Sequence, residues 1–217
     1  MVGTTVRAMD TKDVLRRERA ALCDTFERLG PDAPTLCEGW TTADLAAHLI
    51  VRERDPRSGP GILFGGVFGR YTEKLMARQK AKGYAPLLAR LRSGPPAYMV
   101  ATMAGVNVNE NWIHHEDARR ANGEEPRPAD PDIDAVLTKV LARMGRLQTR
   151  ALKPYGVALA FPDGAQLTLR DASPGVVLRG PVGECVLYLS GRRTAARVEL
   201  EGDADAVARL RSARLGI

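Results

Sequence analysis

The 217-residue chain is predicted to be mainly α-helical, with a small α+β segment at its C-terminal end. Two observations predict this fold class. Up to about residue 150, apolar residues recur every three or four positions, as in helices that bury one face. Near Pro154 the spacing changes toward alternation, which is typical of strands. We therefore expect a helix bundle over residues 8–152 and a small α+β domain over residues 153–217.

The first two helices have clear boundary signals. Asp10 is suited to cap a helix over about residues 11–29, and Gly30-Pro31 is suited to end it. Thr41 is the predicted N-cap of the second helix, because Asp44 stands where a capping box places its acidic residue. His48 follows one turn later on the apolar side of that helix.

The segment from residue 55 to residue 69 is rich in Gly and Pro but also carries apolar residues. It is either an apolar flap beside a pocket or a plain interhelical loop, and both interpretations stay open. A helical segment is predicted over residues 71–91 with a break near residues 83–86, and a long helix over residues 96–121.

A fourth long helix is predicted to start at Asp130-Pro131. Beyond it, residues 157–160 and 166–169 form a predicted hairpin, and residues 176–178 and 196–200 form further strands. Pro181 favours a helix over residues 182–189, and residues 203–212 form a short closing helix.

Glu110 and His114 carry the clearest chemical signal, because residues four apart share one face of a helix. Met99, Met103 and Val106 form an apolar stripe on the same helix. Because this stripe continues along Glu110 and His114, both polar side chains should point inward. A buried carboxylate needs a partner. A divalent metal ion is one such partner, and a Glu–His hydrogen bond is the alternative.

His48 is the candidate third ligand. Catalytic zinc sites commonly use three protein ligands of the His and Glu types and leave one position open. Helix bundles supply such ligands from facing helices. His48, Glu110 and His114 therefore form the predicted metal site.

Neighbouring residues have secondary roles in this hypothesis. Asn107 can line the same cavity, and Asp117 can orient the His114 imidazole, with a surface salt bridge to Arg120 as the alternative. His115 is rotated by about 100° from His114, so we expect it to face away, at the surface, and to be the less suitable ligand.

Several function classes find no support. The zinc-protease pattern His-Glu-x-x-His and the Gly-x-Ser-x-Gly pattern are both absent. Three widely spaced cysteines predict reduced structural thiols, and Cys37 is expected to pack among apolar groups. The net charge of +6 is spread over mixed-charge helices, which disfavours a nucleic-acid partner.

With no apolar span and no signal segment, we expect a cytoplasmic protein without membrane contact. The sequence does not determine the oligomeric state.

Several stretches resemble a known family. Residues 36–49, which read Leu-Cys-Glu-Gly-Trp-Thr-Thr-Ala-Asp-Leu-Ala-Ala-His-Leu, are similar to the DinB-like metal-binding family related to mycothiol-dependent maleylpyruvate isomerase, as are residues 52–56, 61–63 and the Glu-x-x-x-His helix at residues 110–120. Residues 176–192 and 201–203 resemble the small sterol-carrier-protein-like domain that follows this bundle. The resemblance implies a DinB-like four-helix bundle with zinc on His48, Glu110 and His114.

The resemblance also implies a function. It predicts a zinc-dependent, thiol-linked isomerase or S-transferase that acts on a small molecule, with mycothiol as cosubstrate. The alternative is a non-catalytic module in which the metal braces the bundle and the tail binds a small apolar ligand. Because related folds host different activities, the motif leaves open whether the chain is an enzyme.

Overall fold

A computed structural model describes residues 9–55 and 66–215. The chain divides into two compact units, of which the first comprises the chain up to Glu124 together with Asp130–Val136. The second comprises Glu125–Ala129 and the chain from Leu137 onward. The predicted fold class is confirmed, since long helices precede a small four-stranded sheet. The predicted boundary between residues 152 and 153 remains a prediction.

Helices form the whole of the first unit's regular structure within the described residues. They are α1 (Thr11–Leu29), α2 (Thr42–Arg54), α3 (Gly66–Lys80), α4 (Tyr84–Arg92), α5 (Ala97–Ala121) and the start of α6 (Pro131–Gln148). The predicted caps are confirmed: Asp10 accepts a hydrogen bond from the Lys12 N–H, and Asp44 accepts one from the Thr41 N–H. Helix α3 begins before the predicted residue 71, and most of the predicted flap or loop, residues 56–65, lies outside the described residues.

An apolar core fixes α2 against its neighbours. Its largest fully buried side chains within this unit come from α1, α2 and α4, namely Leu22, Phe26, Leu45, Leu49, Ile50, Leu87 and Leu91. Burying such side chains stabilises each by about 1.5–3 kcal/mol relative to exposure. A buried ion pair also joins α1 to α2, where Arg19 Nη2 lies 2.6 Å from Glu53 Oε1.

The second unit is built around a sheet. Its elements are a 3₁₀ turn (Arg150–Leu152), β1 (Gly156–Ala160), β2 (Gln166–Arg170), β3 (Gly175–Arg179), α7 (Val182–Leu189), β4 (Glu199–Gly202) and α8 (Ala204–Ser212). The strand order is β2-β1-β3-β4, with β1 antiparallel to β2 and parallel to β3, and with β4 antiparallel to β3. The predicted hairpin and the helix after Pro181 are confirmed.

The prediction of a strand at residues 196–200 is wrong in position. The chain turns first, because the N–H groups of Ala195 and Ala196 both donate to the Arg192 carbonyl. The next N–H, of Arg197, donates to the buried Glu184 carboxylate at 2.7 Å. These N–H groups are therefore not available to a strand ladder, and pairing with β3 begins only at Glu199.

Two further findings bear on the sequence predictions. Among the described residues, no helix is long and apolar enough to cross a membrane. Cys23, Cys37 and Cys185 form no disulfide with one another, and Cys23 and Cys185 are buried.

Candidate metal centre

The three predicted ligands lie together in the first unit. His48 comes from α2, and Glu110 and His114 come from α5; one ligand atom from each lies within 4.8 Å of the others. His114 Nε2 is 3.8 Å from Glu110 Oε2, and the two imidazole rings meet edge to face with centroids 5.1 Å apart. Both histidines are buried. This arrangement can hold a divalent cation between two helices.

The anchored start of α2 positions His48. Asp44 accepts hydrogen bonds from both the backbone N–H and the hydroxyl of Thr41, which fixes the first turn. Trp40 immediately precedes that cap, and its ring lies 5.2 Å from the His48 imidazole, centroid to centroid. His48 is therefore held between an aromatic ring and the imidazole of His114.

Glu110 is half-buried and already has a cationic partner. Arg52, one turn after His48 on α2, places Nε 3.2 Å from Glu110 Oε2 and donates from Nη1 to Asn107 Oδ1 at 3.0 Å. A carboxylate has enough lone pairs to accept from Arg52 and also to bind a cation. Arg52 was not among the predicted site residues, although its spacing of four residues from His48 indicates a shared face.

Asp117 contacts His114 from within the same helix. Asp117 is fully buried, and its Oδ2 lies 2.9 Å from His114 Nδ1. Burial acts to lower the pKa of His114, but the hydrogen bonds to Asp117 and Cys37 outweigh it and raise that pKa to about 9. The alternative of a surface salt bridge with Arg120 does not agree with the complete burial of Asp117; Arg120 Nε lies 2.7 Å from Glu116 Oε2.

Cys37 packs against the apolar core, as expected, and it also belongs to this polar cluster. Its thiol donates to Asp117 Oδ2 at 3.3 Å, and its sulfur lies 4.0 Å from His114 Nδ1. The loop before α2 brings it there, because the Leu36 N–H donates to the Asp117 carbonyl. No local pattern relates residue 37 to residue 114, so the sequence alone offers no signal for this contact.

His115 faces away from the candidate site as predicted, but the prediction that it lies at the surface is wrong. Its Nδ1 lies 2.9 Å from Glu18 Oε1, and its Nε2 lies 2.9 Å from Thr25 Oγ1. Both partners are on α1, which covers this face of α5. His115 is therefore a buried link between two helices.

Two asparagines add buried polar atoms to α5. Asn107 and Asn111 are one turn apart and almost completely buried. Among the described residues, Asn107 Nδ2 and both amide atoms of Asn111 have no hydrogen-bond partner. Buried polar groups are normally satisfied, so these atoms are candidates to contact a ligand. Asn107 was among the predicted site residues, whereas Asn111 was not.

The family comparison and the structural comparison both find proteins described as mycothiol-dependent maleylpyruvate isomerases. Residues 13–58, which include most of α1, all of α2 and His48, match the family described as the mycothiol maleylpyruvate isomerase N-terminal domain. No curated protein matches the chain. Two crystal structures of the mycothiol-dependent maleylpyruvate isomerase are similar in fold, and one of them is of a histidine-to-alanine mutant. The mutant aligns with 16% identity and a TM-score of 0.61, the other with 17% and 0.58; each alignment covers 88% of this chain and 91% of the isomerase chain.

The family match covers the beginning of the first unit, while the structural similarity extends over most of the chain. At identities of 16% and 17%, the similarity shows a common fold. The resemblance found in the sequence is thus confirmed: residues 13–58 match the N-terminal domain of mycothiol maleylpyruvate isomerases, and the chain has the fold of the mycothiol-dependent isomerase.

Proposed function

We propose that this chain binds a divalent metal ion, zinc in the first instance, and uses it in a mycothiol-linked isomerase or S-transferase reaction. The ligands are His48, Glu110 and His114. The observation that supports this most directly is that one ligand atom from each of the three residues lies within 4.8 Å of the others, although the residues belong to two different helices.

The donor set fits the chemistry of zinc. Two imidazoles and one carboxylate are a common catalytic zinc set, although they also suit nickel, iron or manganese. Zinc bound to three protein ligands would supply a Lewis acid with an open position at which a thiol is stabilised as its thiolate.

The surrounding residues have distinct tasks in this proposal. Asp117 holds the Nδ1 side of His114, which turns Nε2 toward His48 and Glu110. Arg52 restrains the Glu110 carboxylate. The unsatisfied amide atoms of Asn107 and Asn111 offer hydrogen bonds to a polar substrate.

The relatives supply the identity of the thiol. Both similar crystal structures are of a mycothiol-dependent enzyme, and the family match at residues 13–58 bears the same name. The proposed organisation is a metal-binding bundle over residues 8–152 and a sterol-carrier-like domain over residues 153–217.

The test uses untagged protein loaded with zinc and supplied with mycothiol and maleylpyruvate. We expect isomerisation that requires both zinc and mycothiol and that is lost in His48→Ala. If maleylpyruvate is not converted, electrophiles supplied with mycothiol test for S-transfer. Protein that binds zinc but turns over no mycothiol-dependent substrate would contradict the catalytic proposal.

A non-catalytic role is the second candidate. It is favoured by the origin of the ligands on α2 and α5, because an ion there would cross-link two helices. In that case removal of zinc would lower the melting temperature, and the tail would bind a small apolar ligand. Thermal unfolding with and without a chelator, measured beside the turnover assay, separates the two functions.

A further inference from the structure

His114 has a second group of possible metal ligands on its other side. Cys37, His114 and Asp117 each offer one ligand atom within 4.8 Å of the others. The Asp117 carboxylate oxygen lies 2.9 Å from His114 Nδ1 and 3.3 Å from Cys37 Sγ. His114 Nε2, by contrast, faces Glu110. One imidazole thus serves both groups through different ring nitrogens.

The loop that carries Cys37 is firmly attached to α5. The Leu36 N–H donates to the Asp117 carbonyl at 3.1 Å, and Asn122 Nδ2 donates to the Pro34 carbonyl at 3.0 Å. Within the loop, Thr35 Oγ1 donates to the Trp40 carbonyl at 2.8 Å. The thiol is therefore held beside a fully buried carboxylate rather than projecting freely from the surface.

We propose that Cys37, His114 and Asp117 form a second, thiolate-containing site for a thiophilic divalent ion. Sulfur, imidazole nitrogen and carboxylate oxygen are all established zinc ligands, and on a tetrahedral ion such atoms lie about 3.4–3.6 Å apart. The observed separations of 2.9, 3.3 and 4.0 Å require shifts of only about 0.5 Å from those values. On binding, the Cys37 S–H bond and the His114 Nδ1–H bond break, both protons go to solvent, and the sulfur and nitrogen electron pairs form the bonds to the ion.

The two sites exclude each other. A neutral imidazole has one nitrogen with a free lone pair, while the other nitrogen carries the proton. An ion on the Cys37 side takes the Nδ1 lone pair and leaves the proton on Nε2, which then cannot bind an ion beside Glu110. Each chain therefore holds one ion, on one side of His114 or on the other.

This inference shares His114 with the proposed function but does not depend on it. A chain with no isomerase or transferase activity can still bind an ion through Cys37. The second site includes a soft thiolate ligand, whereas the ligand atoms of the first site are nitrogen and oxygen only. Spectroscopy therefore distinguishes the two sites without an activity assay.

Titration with Co²⁺ under reducing conditions provides the test, because a thiolate ligand produces a near-ultraviolet charge-transfer band that His and Glu ligands do not. The variants are His48→Ala, which removes a ligand of the first site only, and Cys37→Ser, which removes the thiol. Cys185→Ala is the control for loss of a thiol elsewhere in the chain.

We expect His48→Ala to bind one Co²⁺ per chain with the thiolate band, and the double variant His48→Ala/Cys37→Ser to lose that band. Cys185→Ala in the His48→Ala background should keep it. A His48→Ala protein that binds Co²⁺ without the band, or binds none, overturns the second site but leaves the first intact. Two equivalents of Co²⁺ bound to the wild type would overturn mutual exclusion.

Discussion

The Nδ1 atom of His114 lies 2.9 Å from Oδ2 of Asp117, almost one turn further along α5. This contact fixes which nitrogen of the imidazole faces Glu110, and it places a fully buried carboxylate behind the candidate ligand. A carboxylate that accepts a hydrogen bond from a metal-binding histidine fixes the tautomer of the imidazole and increases the basicity of the nitrogen that binds the metal.

Asp117→Asn should therefore weaken zinc binding without removing a ligand of the first site. We expect a loss of about 10–100-fold in affinity, as is usual when such an orienting partner is changed. Competition with a chromogenic chelator measures it. Glu116→Gln is the matched control, because Glu116 is equally buried but pairs with Arg119 and Arg120. Equal losses in both variants would contradict an orienting role.

Zinc should stabilise the folded chain by binding to it. At a free zinc concentration of 100 times the dissociation constant, the expected gain is about 2.7 kcal/mol. Chemical unfolding with zinc and with a chelator measures this difference. The gain should be absent in His114→Ala, which removes the ligand common to both proposed sites. A similar zinc-dependent gain in stability in His114→Ala would mean that zinc binds at a different site.

The three cysteines should differ in reactivity. Burial raises the pKa of Cys23 to about 11 and that of Cys185 to about 12, so both thiols stay protonated and shielded. Cys37 is only half-buried. Brief alkylation of the native protein near pH 8, followed by peptide mass spectrometry, should modify Cys37 first. Faster modification of Cys23 or Cys185 would contradict the burial shown here.

The buried pair of Arg19 and Glu53 should matter more than an exposed pair. Burial raises the pKa of Glu53, and the guanidinium of Arg19 opposes that shift. Glu53→Ala leaves Arg19 buried without its partner, so we expect a loss of about 3–5 kcal/mol in the free energy of unfolding. Glu27→Ala removes an exposed partner of Arg92 and should cost little. Urea unfolding compares the two variants, and equal losses would argue against a special role for burial.

Local signals in the sequence predicted much of this fold. Asp10, Thr41 and Asp44 are capping residues, and they located the starts of α1 and α2. Helical spacing also placed His48, Glu110 and His114 on inward faces, because positions four apart share a face whatever the helix packs against. The burial of both histidines agrees with that expectation.

Features that depend on packing between distant segments were not predicted. His115 is buried because α1 covers its side of α5, and the pattern within α5 does not identify the covering helix. Cys37 reaches Asp117 through a loop contact across 80 positions of sequence. Strand β4 begins later than predicted because the N–H groups of Ala195 and Ala196 donate to the Arg192 carbonyl. The alternation of apolar and polar residues does not indicate these hydrogen bonds.

The proposed metal centre is tested by measuring the zinc content of three proteins: the wild type, His114→Ala and His115→Gln. The two histidines are adjacent and both buried, but only His114 faces Glu110, while His115 faces Glu18. After dialysis against limiting zinc, elemental analysis should find about one zinc per chain in the wild type and in His115→Gln, and almost none in His114→Ala. Wild-type zinc content in folded His114→Ala would contradict the proposed metal centre.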